Sequence, residues 1–139
     1  MRIDSAGNVG IGTTTPAQKL DVQGNVTLNG NQLQNYIAPV TTQAGTTYTL
    51  VASDSGSTIR FTNGSAITVT LPNSLPAGFN VWILQEGAGQ VTFTAAGGAT
   101  LLNRQSYTKT GGQYAMISLI VKDNAGSAAN FVLAGDTAP

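Results

Sequence analysis

Three groups of residues have types that could do chemistry. Gly7, Gly10 and Gly12 stand as G-x-x-G-x-G ahead of Thr13, Thr14 and Thr15, a permutation of the dinucleotide fingerprint. That site needs G-x-G-x-x-G between a buried strand and a long helix, because backbone N–H groups and the helix N-terminus hold the pyrophosphate together. Here Pro16 to Lys19 leaves room for one helical turn, and no lysine follows Gly12 as a P-loop requires. Ser106-Tyr-Thr-Lys109 and Lys109-Thr-Gly111 match the S-x-x-K and K-T-G patterns of penicillin-recognising enzymes. They share one lysine, however, and run into Gly111-Gly112 where S-x-x-K must open a helix. Asp54, Glu86 and Asp123 are the carboxylates from which a glycosidase pair would be drawn, yet each falls in a stretch of turn formers, where carboxylates commonly bond nearby backbone. Asp123-Asn-Ala-Gly126 is too thin a cluster for calcium. Histidine and cysteine are absent, which removes the commonest general base, the commonest metal ligand and all thiolate chemistry. These residues assign no catalytic group, metal site or cofactor.

The elements that position side chains follow from pattern. The 139 residues include 17 glycines, 41% are hydrophobic and only 9% charged, with six basic and six acidic side chains. Disorder is excluded by that apolar content. The zero balance and the scattered cations argue against nucleic acid or an anionic membrane as partner, since both select a basic face. No apolar run approaches the roughly 20 residues of a membrane-spanning helix, and membrane insertion is not expected.

Period-two alternation dominates the chain. In Ala66-Ile-Thr-Val-Thr-Leu71 the residues Ile67, Val69 and Leu71 share one face and threonines the other, the pattern of a half-buried strand. Similar runs are Tyr48–Val51, Thr58–Thr62, Asn80–Gln85, Gln90–Thr94, Ala115–Val121 and Asn130–Leu133, separated by Gly, Pro, Asn and Asp clusters. Short strands at regular spacing predict an antiparallel β-sandwich or jelly-roll-like domain. Asn63-Gly64 is the strongest hairpin signal. The strands holding Trp82 and Met116–Val121, apolar at nearly consecutive positions, are expected at the centre and buried on both faces, with Trp82 in the core.

A boundary near residue 38 divides the chain into segments 1–38 and 39–139. Upstream of it the apolar side chains are few: Ile3, Val9, Ile11, Leu20, Val22, Val26, Leu28 and Leu33. At about 1.5–3 kcal/mol each they do not offset about 1–2 kcal/mol of backbone entropy per ordered residue. Their alternation is nonetheless regular. The economical solution is a shared core, in which Ile3, Val9, Ile11, Leu20, Val22, Val26 and Leu28 of several chains bury one another and the glycines permit tight crossings. This predicts an intertwined β shaft whose first partner is a second copy of the chain.

Arg2-Ile-Asp-Ser-Ala-Gly-Asn-Val-Gly-Ile-Gly-Thr-Thr-Thr-Pro-Ala-Gln-Lys-Leu-Asp-Val22 resembles the "RIDS-GNVGIGTT-P--KLDV-G" repeat of bacteriophage tail fibres and related trimeric virion fibres. The match runs over about 25 residues and is far more specific than a glycine triplet. Residues 45 to 136 resemble, more loosely, terminal β domains of phage fibres and spikes, through Asp54-Ser-Gly56, Ile67-Thr-Val-Thr-Leu-Pro72, Leu75-Pro-Ala-Gly78, Gly87-Ala-Gly-Gln-Val-Thr92 and Val132-Leu-Ala-Gly-Asp136. The resemblance implies a homotrimer located in the virion, joined to other virion proteins through its N-terminal segment and attaching to a host surface glycan or protein. Capsid decoration or a head fibre is the alternative, and a polysaccharide-degrading tailspike enzyme a weaker one. For surface contact the candidates are Asn103, Arg104, Tyr107 and Lys109, an aromatic ring beside amide and cationic groups in a polar stretch.

Overall fold

The computed structural model describes residues 1–24 and 37–139. The chain divides into two compact units, Met1–Tyr36 and Ile37–Pro139, a boundary two residues before the expected one. Among the described residues every regular element is a β-strand except one 3-10 turn, Ala52–Asp54. The all-β expectation is correct.

In the first unit, β1 (Arg2–Ile3), β2 (Val9–Ile11) and β3 (Leu20–Val22) form one small sheet in that order, β1 antiparallel and β3 parallel to β2. The β1–β2 turn is closed by Asp4, whose carboxylate accepts the N–H groups of Ala6 and Asn8, both at 2.9 Å, and the Asn8 amide at 3.0 Å. The Asn8 N–H, aided by that of Ala6, holds the Asp4 carboxyl below its ordinary range. Returning to a parallel strand requires a crossover, residues 12–19, and two glycines make it possible. Gly12 has φ +79°, and a Cβ there would stand 2.8 Å from the Gln23 carbonyl oxygen; at buried Gly10 it would stand 2.7 Å from that of Thr13. The opening glycines are therefore turn and crossing geometry, and among the described residues no helix follows them to hold an anion.

In the second unit, β4 (Val40–Gln43), β5 (Thr47–Thr49), β6 (Thr58–Phe61), β7 (Ile67–Leu71), β8 (Asn80–Gln85) and β9 (Val91–Ala95) alternate between two sheets. In the first sheet β4, β6 and β8 lie side by side and parallel; in the second β5, β7 and β9 do the same. The chain thus winds through three turns of a coil, each turn adding one strand to each sheet. The remaining strands, β10 (Thr100–Leu102), β11 (Lys109–Thr110), β12 (Met116–Asn124), β13 (Ala129–Gly135) and β14 (Thr137–Ala138), finish the sheets, in the orders β10-β13-β12-β8-β6-β4 and β14-β11-β9-β7-β5. Of these, β12 is antiparallel to β8 and β11 antiparallel to β9, while β10 is parallel to β13.

This corrects the expected antiparallel sandwich. Alternation of apolar side chains reports which face is buried and says nothing of strand direction. Asn63-Gly64 is likewise not a hairpin: β6 and β7 belong to different sheets, neither residue has positive φ, and the pair turns a corner between sheets. Successive corners stack on one another. Asn63 donates its side-chain N–H to the Ala44 carbonyl at 2.7 Å, and the Asn63 carbonyl accepts the Gly89 N–H at 3.0 Å.

The core lies between the two sheets, and among the described residues the buried apolar side chains fall between Leu50 and Leu133. Its organisation is in-register stacking along the coil: Ile59, Ile83 and Ile117 align across three strands of one sheet, and Tyr48, Val69 and Phe93 across three of the other. Tyr48 meets Phe61 edge-on, ring centres 6.0 Å apart. Among the buried polar side chains, Gln85 and Thr110 bond each other. Thr110 donates its hydroxyl to Gln85 Oε1 and accepts the Val91 N–H at 3.0 Å, while the Gln85 amide donates to the Gly87 carbonyl at 3.2 Å. Each is bonded, as burial demands.

Strands β8 and β12 are central as expected, but neither is buried on both faces. Trp82 is 50% exposed, Met116 47% and Ile120 40%. Gln85 faces inward with Val81 and Ile83, which places Trp82 in the opposite phase.

A side chain at Gly89 would overlap the Ser65 carbonyl in the stacked corners, whereas one at Gly64 meets nothing within 4 Å. Gly89→Ala is expected to cost about 3 kcal/mol and Gly64→Ala less than about 0.5 kcal/mol, read from urea unfolding midpoints.

Candidate functional site

The loop between β10 and β11 encloses the site. Strand β10 is the edge of the six-stranded sheet, held by parallel pairing that sets Leu101 opposite Phe131 and Leu102 opposite Val132. Beyond it Asn103 organises the turn: its side-chain oxygen accepts the N–H groups of Gln105 at 2.9 Å and Tyr107 at 3.0 Å, and its amide donates to the Leu133 carbonyl at 3.0 Å. Ser106 donates its N–H to the Asn103 carbonyl at 3.0 Å and takes φ +62°, a left-handed conformation that the Asn103 bonds hold in place. The loop returns to the second sheet through Thr108, whose carbonyl accepts the Phe93 N–H at 2.8 Å.

These bonds enclose a concavity of about 150 Å³ lined by Leu101, Leu102, Asn103, Ser106, Tyr107 and Thr108. Its lining joins two leucines to the hydroxyls of Ser106, Tyr107 and Thr108, with no charged side chain among them. Such a surface suits a ligand with one apolar face and a hydroxyl edge. Of the four candidate contacts, Asn103 and Tyr107 line the hollow together. Arg104 is exposed at the loop tip, and Lys109 begins β11 opposite Thr92 and Ala138; neither is part of the lining. Asn103 spends its polar atoms on backbone, so it positions the loop, and Tyr107 with Ser106 remains to meet a ligand.

Of the groups weighed for catalysis only Ser106 lines this hollow; Lys109, Asp54, Glu86 and Asp123 stand apart from it. Ser106 lies in a loop and Lys109 opens a strand, so the S-x-x-K spacing has no helix beneath it. Asp54 is buried and accepts the Tyr48 hydroxyl at 2.9 and 3.0 Å and the Val51 N–H at 2.9 Å. Glu86 pairs with Arg60 at 3.1 Å. Asp123 is bonded by Lys122 and Asn130, which hold its carboxyl below the ordinary range. Each of the three carboxylates thus has its own protein partner. Among the described residues no three His, Cys, Asp or Glu side chains gather as a metal would require.

No family model, no curated protein and no solved structure matches the chain. The surfaces themselves carry the functional reading. One was missed from the sequence, the outward face of the six-stranded sheet around Trp82. Its signal was Asn80, which shares the phase of Trp82 and Leu84 and marks that phase as outward.

Two outcomes are expected. Asn103→Ala should speed amide exchange at Gln105 and Tyr107 and cost about 1–3 kcal/mol, while Tyr107→Phe leaves both unchanged. Burial, then the hydrogen bond and charge of Asp54, push the Tyr48 phenol up to about 12 from 10.0. Below the lower value both folded and unfolded chains keep the proton, so the stabilisation is complete there, and it is lost as pH climbs from the lower value to the upper. Tyr48→Phe should abolish this alkaline loss and, by stripping a partner from buried Asp54, cost about 1–3 kcal/mol at neutral pH in urea unfolding.

Proposed function

We propose that this protein is a structural and receptor-binding fibre protein of a phage virion, acting as a homotrimer. The observation that carries the proposal is the open aliphatic face of the first unit. Register aligns Ile3, Val9 and Leu20 in one row and Ile11 with Val22 in the next, so alternation sets all five on one side of the small sheet. Ile3 is 62% exposed, Leu20 61% and Ile11 44%. The crossover does not cover them, because Thr13 and Pro16 approach Gly10, which points the other way. Val26 and Leu28, assigned to the same interface, lie outside the described residues.

A sheet of three strands of two or three residues each, with its apolar face open to water, buries too little to offset its ordering. Copies of itself supply what it lacks, since each offers an identical face and the strands are too short to bury it within one chain. The fibre-like repeat over the same residues supports this arrangement. The second unit has its own core and needs no such help. It presents the hollow at Tyr107 as the contact for a host surface glycan or protein. Three such hollows on one stem act together, so weak individual binding becomes strong attachment through high effective concentration.

Placing a charge on the shared face tests the assembly. Ile11→Asp is expected to reduce the sedimentation mass from that of three chains to that of one, 14.2 kDa, with the strand content of the second unit unchanged by circular dichroism. Wild-type protein already at single-chain mass would refute the fibre reading. Adsorption to host cells should fall with Tyr107→Ala in the assembled protein, and binding to capsids instead of cells would move the assignment to decoration.

A further inference from the structure

The inward face of the six-stranded sheet is covered by its partner sheet, and its outward face leaves large apolar side chains partly exposed. Register fixes what that face displays. Trp82 sits between Thr58 on β6 and Ser118 on β12; in the adjoining row Leu84 pairs with Met116, and on the other side Ile120, Val132 and Leu102 align. Trp82, Met116, Ile120 and Leu102 are each between 40% and 50% exposed. The outward cations are neutralised locally, Arg60 by Glu86 and Lys122 by Asp123. The face therefore carries no net charge, and at its centre an aromatic ring lies among large apolar side chains with Thr58 and Ser118 beside it, the composition of a protein interface core.

The size of the face selects its occupant. Six strands about 4.8 Å apart, showing between two and four outward residues each, span roughly 24 by 17 Å at most, a projected area on the order of 400 Å². Even with side-chain relief this stays below the roughly 800 Å² that each partner gives to a stable interface between free proteins. A free partner would bind it weakly, but a copy of the same chain already tethered through the first unit meets it at millimolar effective concentration. We infer that the Trp82 face of the second unit packs against another copy of this chain, with Trp82 as its buried anchor and Met116 and Ile120 around it. The inference rests on the assembly proposed above.

Trp82 is the single tryptophan of the chain, so its fluorescence reports on this contact in the intact protein. The assembled wild type is expected to show blue-shifted emission and acrylamide quenching several-fold weaker than the Ile11→Asp variant. Met116→Glu, altering an exposed neighbour, is expected to keep the assembled mass while restoring strong quenching. An assembled mass with Trp82 as quenchable as in Ile11→Asp would overturn this inference and leave the shaft intact. A single-chain mass for the wild type would overturn both. Quenching unchanged by Met116→Glu in assembled protein would also overturn it, by showing that the shielding arises elsewhere.

Discussion

The second unit depends on the stacking of like side chains in register from one turn of the coil to the next. Parallel pairing of β4, β6 and β8, and of β5, β7 and β9, brings each inward residue beside its counterpart one turn away. Ile59 over Ile83 and Val69 over Phe93 bury one another without any long-range hairpin. Outward, the same register lines up Thr47, Thr68 and Thr92, and beside them Thr49, Thr70 and Thr94. Corners must then pass at backbone distance, which is why Gly89 lies against Ser65. The later strands add antiparallel partners to both sheets, and β11 ties its end of the coil to β8 through the buried Thr110 and Gln85.

The two units answer the same demand differently. Both are built from short alternating strands, and in both a sheet has one apolar side to hide. In the second unit the facing sheet belongs to the same chain, and burial reaches completion at residues such as Ile59, Phe61 and Phe131. In the first unit three short strands leave Ile3, Ile11 and Leu20 open. The difference is one of length, since about two dozen described residues do not supply a second layer. The proposed fibre assembly follows from that shortage, and the Trp82 face extends the same logic to the larger unit.

Recognition in this reading requires a rigid hollow, and Asn103 supplies the rigidity. One side chain bonds two amides of its own loop and one carbonyl of β13, so the backbone of Tyr107 is tied to the sheet edge. The polar stretch at 103–109 was recognisable as a surface element from its composition. That Asn103 faces inward as an organiser while Arg104 and Lys109 stay outside the hollow depends on hydrogen bonds between residues up to thirty positions apart, which no local pattern encodes.

Period-two alternation, turn residues and the near absence of charge were enough to establish an all-β chain, because these depend on local spacing alone. A repeat was also present in Thr47-Tyr-Thr49, Thr68-Val-Thr70 and Thr92-Phe-Thr94, one T-x-T for each turn of the coil. Only the tertiary structure decided that neighbouring strands belong to opposite sheets, that Asn63-Gly64 turns a corner, and that Trp82 faces outward while Gln85 lies within. The physical reason is common to all three. Strand direction and phase are settled by which distant strand pairs with which, and a polar residue such as Gln85 can occupy the core once Thr110, twenty-five positions away, is there to bond it.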